Sequence, residues 1–170
     1  QKLVIRHPHV FGSASANNTD EALVNWDAIK AKTKGRKTQT ESMKTVPIEL
    51  PALMRSQKVQ KYASKAGFDW DDSNGAFEKL SEEINELKNA ISTGNQNNIE
   101  DEFGDVLFSA VNIARFIKVD SEEALTQSCN KFINRFKIVE DLAKQREVNL
   151  ENSSIDVLDS LWEEAKKILS

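Results

Sequence analysis

The chain has 170 residues, 27 acidic against 23 basic, and a formal net charge of −4. That length suits one domain with something appended and allows a sizeable core. The acidic balance argues against a general nucleic-acid surface, no apolar run approaches the ~18 residues of a membrane span, and the single Cys129 excludes an intramolecular disulfide.

Six glycines and three prolines leave a composition that favours helices, and the short β-branched runs do not alternate like strands. Residues 1–18 read as a helix end and a loop, because Pro8 and Gly12 stop regularity. Gln1 to Val10 is basic, without the apolar core of a signal peptide. Thr19-Asp20-Glu21 opens a helix through Leu23, Trp26, Ile29 and Lys30. Residues 31–50 are polar and largely basic, a linker by composition. Pro51 starts a helix through Leu53, Met54, Val59 and Tyr62 that stops at Gly67. Ser73 or Asn74 caps the next, which ends near Gly94, and another runs from about Asn98 to Lys118. Ser121-Glu122-Glu123 caps a helix with Leu125, Phe132, Phe136, Val139 and Leu142 in period. Ser153 or Ser154 starts the last, through Val157, Leu161 and Ile168. The expected fold is all-α: an antiparallel bundle with about four core helices.

Two of these helices carry the chemistry. Glu82-Glu83-Ile84-Asn85-Glu86 is answered by Glu102-Phe103-Gly104-Asp105, and each places carboxylates three or four residues apart, on one helix face. Phe77, Leu80, Ile84, Leu87 and Ile91 surround the first set, and Val106, Phe108, Val111, Ile113 and Phe116 the second. The carboxylates thus lie on or beside faces expected to be buried, where like charges repel and call for a cation. An all-oxygen site without His or Cys suits a hard ion such as Mg²⁺ or Mn²⁺. A carboxylate-bridged di-iron bundle wants Glu-x-x-His on two helices, and no His follows His9. Lys131, Arg135 and Lys166 would match a polyphosphate held beside such metals.

A helix with several Glu is more often a solvated face, but the second acidic pair sits in an otherwise apolar helix. Lys131 and Arg135 alone would be surface cations, Trp162 alone core, and His7 and His9 loop residues. A partial repeat bears on this. Lys2 to Arg6 matches Lys131 to Arg135, and Trp26 to Lys30 matches Trp162 to Lys166, in the same order. Residues 1–30 then read as the tail of a first repeat whose acidic half is missing, and 51–170 as a complete second one.

These motifs resemble those of the MazG nucleoside triphosphate pyrophosphohydrolases. The likeness rests on the EExxE and ExxD patterns, Leu53-Met54-Arg55, Gly67-Phe68-Asp69-Trp70, Val111 to Arg115, Lys131 to Phe136 and Trp162 to Lys166. Arg6 to Phe11 resembles the end of the first repeat of two-domain members. The resemblance implies an all-α enzyme that converts a nucleoside triphosphate to monophosphate and pyrophosphate with Mg²⁺. Glu83, Glu86, Glu102 and Asp105 would hold metal, and Glu82 would bind a second ion or orient the attacking water. Lys131, Arg135, Trp162 and Lys166 would engage the phosphates and close the site, with Asn112 a weaker match that contacts sugar or base. A homodimer with sites near the subunit contact, broad base tolerance and a role in clearing unwanted nucleotides also follow from the resemblance, while the lone Cys129 and the lack of a visible signal peptide or membrane span suggest a cytoplasmic location. Lys2, Arg6, Trp26 and Lys30 would have no complete site of their own. The competing expectation is a non-catalytic helical module that binds nucleotide or a protein partner.

Overall fold

A computed structural model describes residues 38–169, which contain six α-helices, one 3₁₀ turn and no strand. The all-α expectation holds. The chain divides into two compact units, one ending at Ile117 and one beginning at Lys118.

In the first unit α1 spans Gln39–Met43, α2 Ala52–Lys65, α3 Ser73–Thr93 and α4 Gln96–Phe116. Residues 38–50, linker-like in composition, hold α1 through a full capping box. Glu41 N–H donates to Thr38 Oγ1 at 3.1 Å, and Thr38 N–H donates back to Glu41 Oε2 at 3.2 Å. The Thr-x-x-Glu spacing that permits this is a known helix-start pattern. Pro51 precedes α2 as its N-cap, and Gly67, at φ 82°, follows its end in the left-handed region.

The α3 cap differs from the expected Ser73 or Asn74. Asp72 holds the position, its backbone extended and its carboxylate accepting from Asn74 N–H at 2.7 Å. A carboxylate also meets the positive end of the helix dipole, which a hydroxyl or amide does not match. Asn95 caps α4 by accepting from the N–H groups of Asn97 and Asn98, so α4 starts two residues before the expected Asn98. Between the helices stands Gly94, at φ 70°, its N–H bonded back to the carbonyls of Ala90 and Ile91. A two-residue connection turns α4 back along α3. Against α4 packs α2, where buried Gln60 donates from Nε2 to the Phe108 carbonyl at 2.7 Å.

The second unit pairs α5, Ser121–Gln145, with α6, Ile155–Ile168, across a 3₁₀ turn at Leu150–Asn152. Asp120 caps α5, accepting from Glu123 N–H at 3.0 Å, and Ser121 is the first helical residue instead of the cap. Val139, Leu142 and Ala143 of α5 meet Leu161 and Ala165 of α6 in a small core.

Burial departs from the expected pattern. Ala76 and Ala90 of α3 and Val111 and Ile113 of α4 are buried, but Phe77, Ile84, Ile91, Phe108, Leu125, Phe132 and Phe136 are exposed. Helices carrying apolar residues on more than one stripe fill only the stripe that has a neighbour.

One polar tie links the loop after α2 to α4. Arg115 grips Asp69 with both guanidinium ends, NH1 donating to Oδ2 at 2.8 Å, while Nε donates to Asn112 Oδ1 at 2.9 Å. The Arg115 guanidinium holds the Asp69 carboxyl below its ordinary value. Asp69→Asn should therefore cost about 1–2 kcal/mol at neutral pH. Because the folded pKa is lowered, that contribution is complete above the ordinary Asp value and disappears as pH falls through the lowered one. Urea unfolding of both proteins from pH 7 to pH 2 checks this, and the two curves should converge in acid.

Candidate functional site

The α3–α4 hairpin carries the acidic residues. Glu83 and Glu86 stand one turn apart on α3, and Glu102 faces them from the first turns of α4. One carboxylate oxygen from each lies within 4.8 Å of the other two. Glu83 is buried and Glu102 half-buried, whereas Glu86 is exposed. The Glu86 carboxyl is pushed up from its ordinary value, chiefly by its hydrogen bond with Glu83, then by lost hydration and the charges of Glu83 and Glu102. Carboxylates crowded this way take up either a proton or a cation.

A cation already touches the edge of the group. Lys79 Nζ sits 2.8 Å from Glu83 and 2.9 Å from Glu82, and the two carboxylates raise the lysine's pKa, Glu83 foremost. The sequence reading missed Lys79, although its i+3 and i+4 spacing to the two Glu residues was visible. Asp105 is exposed one turn beyond Glu102 and is not a member of the close trio. Glu82 is exposed and engaged by Lys79, and Asn112 Oδ1 is engaged by Arg115. The oxygen-only donor set of Glu83, Glu86 and Glu102 fits a hard divalent ion.

The second unit holds the cationic and aromatic candidates. Lys131 and Arg135 lie one turn apart on α5, beside Phe132 and Phe136 on the neighbouring stripe. The Phe132 ring stacks near Phe136, with centroids 6.0 Å apart, and tilts against Trp162 of α6 at 5.0 Å. Arg135 Nε is buried and has no hydrogen-bond partner. Lys166, one turn beyond Trp162, forms an ion pair with Glu163. The rings open onto a cavity of about 400 Å³, continued by Val139, Leu150 and Leu158 and bordered by Glu151 and Asp159. The sequence marks Phe132 and Phe136 as periodic apolar residues of α5 and does not single out Glu151 or Asp159. Only the fold brings those two acids to one opening. Lys2, Arg6, Trp26, Lys30, His7 and His9 fall outside the described residues.

Residues 73–139 match the model of the MazG nucleotide pyrophosphohydrolase domain, from the first residue of α3 well into α5. Over 166 residues the chain is 42% identical to a nucleoside triphosphate pyrophosphohydrolase/pyrophosphatase MazG of Thermotoga maritima. The chain resembles the MazG family along nearly its whole length. A nucleoside triphosphate pyrophosphohydrolase of Escherichia coli K12 is 36% identical over 168 residues. These matches cover 98% of the chain but 62% and 64% of the two relatives, so the chain spans less than two thirds of their length. A Bacillus subtilis protein, uncharacterized protein YabN, is 42% identical over 170 residues that make up 34% of its length. The MazG match takes in the acidic trio, Asp105, Asn112, Lys131 and Arg135, while Trp162 and Lys166 follow it in the chain.

A ligand that binds only the folded state raises stability by about 2.7 kcal/mol at a hundredfold excess over its Kd. Mg²⁺ or Mn²⁺ should accordingly raise the melting temperature of the wild-type chain. Glu83→Gln, Glu86→Gln and Glu102→Gln should each abolish most of that rise. Scanning fluorimetry across a metal titration reads it, and an unchanged response in all three would remove the trio from metal binding.

Proposed function

We propose that the chain hydrolyses nucleoside triphosphates at the α-phosphorus, giving the monophosphate and pyrophosphate, with Mg²⁺ as cofactor and Mn²⁺ able to replace it. The observation that carries this is the convergence of Glu83, Glu86 and Glu102 on one helix hairpin, crowded closely enough to raise the Glu86 pKa. The names of the Thermotoga and Escherichia relatives support the reaction class. Glu83, Glu86, Glu102 and Asp105 would hold the metal. When bound, the ion supplies charge neutralisation for the polyphosphate and acidifies water.

The protein's own groups do the rest. Lys79 keeps the Glu82 and Glu83 carboxylates oriented. Glu82, solvent-facing beside the trio in sequence, orients the attacking water or serves a second ion. Lys131, Arg135 and Lys166 hold phosphate oxygens, and Trp162 closes over the nucleotide. Water forms a new bond to the α-phosphorus as the bond to the bridging oxygen breaks, and pyrophosphate departs. Positioning and electrostatics carry such a reaction.

Residues 51–170 form the working repeat in this proposal, and residues 1–30 belong to a first one. No helix among the described residues is long and apolar enough to cross a membrane; the lone Cys129 suits the reducing cytoplasm proposed for the enzyme. The exposed Phe77, Ile84, Phe103 and Phe108 of α3 and α4 suit a homodimer, since apolar patches of this kind mark interaction surfaces. The net charge of −4 speaks against a nucleic-acid partner. Base tolerance is broad, which fits nucleotide-pool house-cleaning.

Incubation with a panel of nucleoside triphosphates, with and without Mg²⁺, tests the reaction by chromatography of the products. Monophosphate plus pyrophosphate is expected only with metal. Glu83→Gln and Asp105→Asn should lower kcat by roughly a hundredfold or more with the fold intact. Diphosphate plus orthophosphate would place the attack on the wrong phosphorus. Lys131→Ala should mainly raise KM, the behaviour of a group that binds ground and transition states equally.

A further inference from the structure

Asn112 stands inside α4, where an amide side chain is a poor helix former, and its surroundings supply a reason for it. Glu102, Asp105, Ser109 and Asn112 follow one another at spacings of three, four and three residues, so they share one face of the helix. Asn112 lies two turns beyond Asp105, roughly 10 Å along the axis, on the face that carries Glu102 into the acidic trio.

Arg115 Nε donates to Asn112 Oδ1 at 2.9 Å, and only the oxygen of an amide can accept that bond. The nitrogen end therefore keeps both of its N–H donors, and it makes no hydrogen bond among the described residues. Arg115 is itself immobilised. Its NH1 donates to Asp69 Oδ2 at 2.8 Å and its NH2 to Oδ1, and the guanidinium lies 4.5 Å from the centre of the Phe116 ring. Only 17% of the Arg115 side chain and 20% of the Asp69 side chain are exposed, so this is not a screened surface pair. Gln60 braces the same stretch by donating to the Phe108 carbonyl, one turn before Asn112. Tying the loop after α2 to α4 needs only the two bonds to Asp69. The third bond, to a residue three positions back on the same helix, adds nothing to that tie and acts on Asn112 alone.

We infer that Asp69 and Arg115 are positioning residues of the proposed site, holding the Asn112 amide so that it offers only N–H donors to an acceptor atom on the sugar or base of the nucleotide. The inference rests on the nucleotide reading given above. With the phosphates at the carboxylates, the nucleoside half extends from the α-phosphorus over a distance comparable to the two helical turns between Asp105 and Asn112.

Nuclear magnetic resonance and calorimetry on the full chain test this. The side-chain amide resonance of Asn112, assigned by its loss in Asn112→Ala, should report a rigid group in wild type. It should become mobile in Arg115→Lys, because lysine lacks the fork that bridges Asp69 and Asn112. AMP with Mg²⁺ should shift the wild-type resonance. Asn112→Ala and Arg115→Lys should each weaken AMP binding about fivefold, the magnitude of one neutral hydrogen bond. The double variant should bind no more weakly than either single one, since Arg115 acts through Asn112. With 2′,3′-dideoxy-AMP, disappearance of the Asn112→Ala effect places the acceptor on the sugar, and its persistence places it on the base. A rigid amide in Arg115→Lys, additive losses in the double variant, or AMP bound without moving the Asn112 resonance would each overturn the inference. No AMP binding by calorimetry would strike the nucleotide reading and this inference with it, whereas binding without triphosphate hydrolysis would count against the reaction alone.

Discussion

Three carboxylates held within 4.8 Å of one another set the terms for the first unit. Their mutual repulsion opposes the packing that brings α3 and α4 together, so the hairpin must be held by other means. Gly94 turns the chain in a backbone conformation that side chains disfavour, and Asn95 caps the helix that follows. The small Ala76 and Ala90 are the buried apolar residues of α3, while Val111 and Ile113 fill the corresponding part of α4. Lys79 then offsets charge at the buried end of the cluster, where Glu83 has lost its water. Glu86 has its carboxyl pushed up from its ordinary value, first by its hydrogen bond with Glu83 and after that by lost hydration and the neighbouring charges. A cation would relieve this tension, and a polyphosphate would in turn balance the cation.

The second unit carries the cationic candidates Lys131, Arg135 and Lys166. Its apolar core is small, formed by Val139, Leu142, Ala143, Leu161 and Ala165, and the large aromatic residues of α5 are left exposed beside Lys131 and Arg135. Rings placed for core packing would be shielded from solvent. Phe132, tilted against Trp162 and open to a cavity, is instead available to a flat ligand. Core and cavity thus share one face of α5: Val139 and Ala143 fasten it, and Phe132 and Phe136 continue the same face toward the helix start.

Much of this was legible in the residues. Period and punctuation gave the helices from Pro51 onward, since Pro51, Gly67 and Gly94 stand where helices begin or stop. The carboxylate spacing paired Glu83 with Glu86 and Glu102 with Asp105 on their own helix faces, and only the fold brings Glu102, without Asp105, to the first pair. The caps were less legible: Asp72, Asn95 and Asp120 stand among several residues able to do the same task, and only backbone conformation selects one. The short helix Gln39–Met43 was hidden by a basic composition that masked its Thr38-Glu41 box. Burial was overestimated for Phe77, Ile84 and Phe108, because periodicity identifies an apolar face without saying what covers it. Glu151 and Asp159 belong to no motif, and tertiary folding alone brings them to the cavity.

The central claim is that the α3–α4 carboxylates are a divalent-cation site. Anomalous diffraction from crystals soaked in Mn²⁺ tests it most directly. The account predicts a peak at about 2.1 Å from oxygens of Glu83, Glu86 and Glu102, the spacing of a hard octahedral ion, with Lys79 no longer the nearest cation to Glu83. Manganese bound elsewhere, with the trio unoccupied at saturating metal, would contradict it and leave the crowded carboxylates without the role assigned to them.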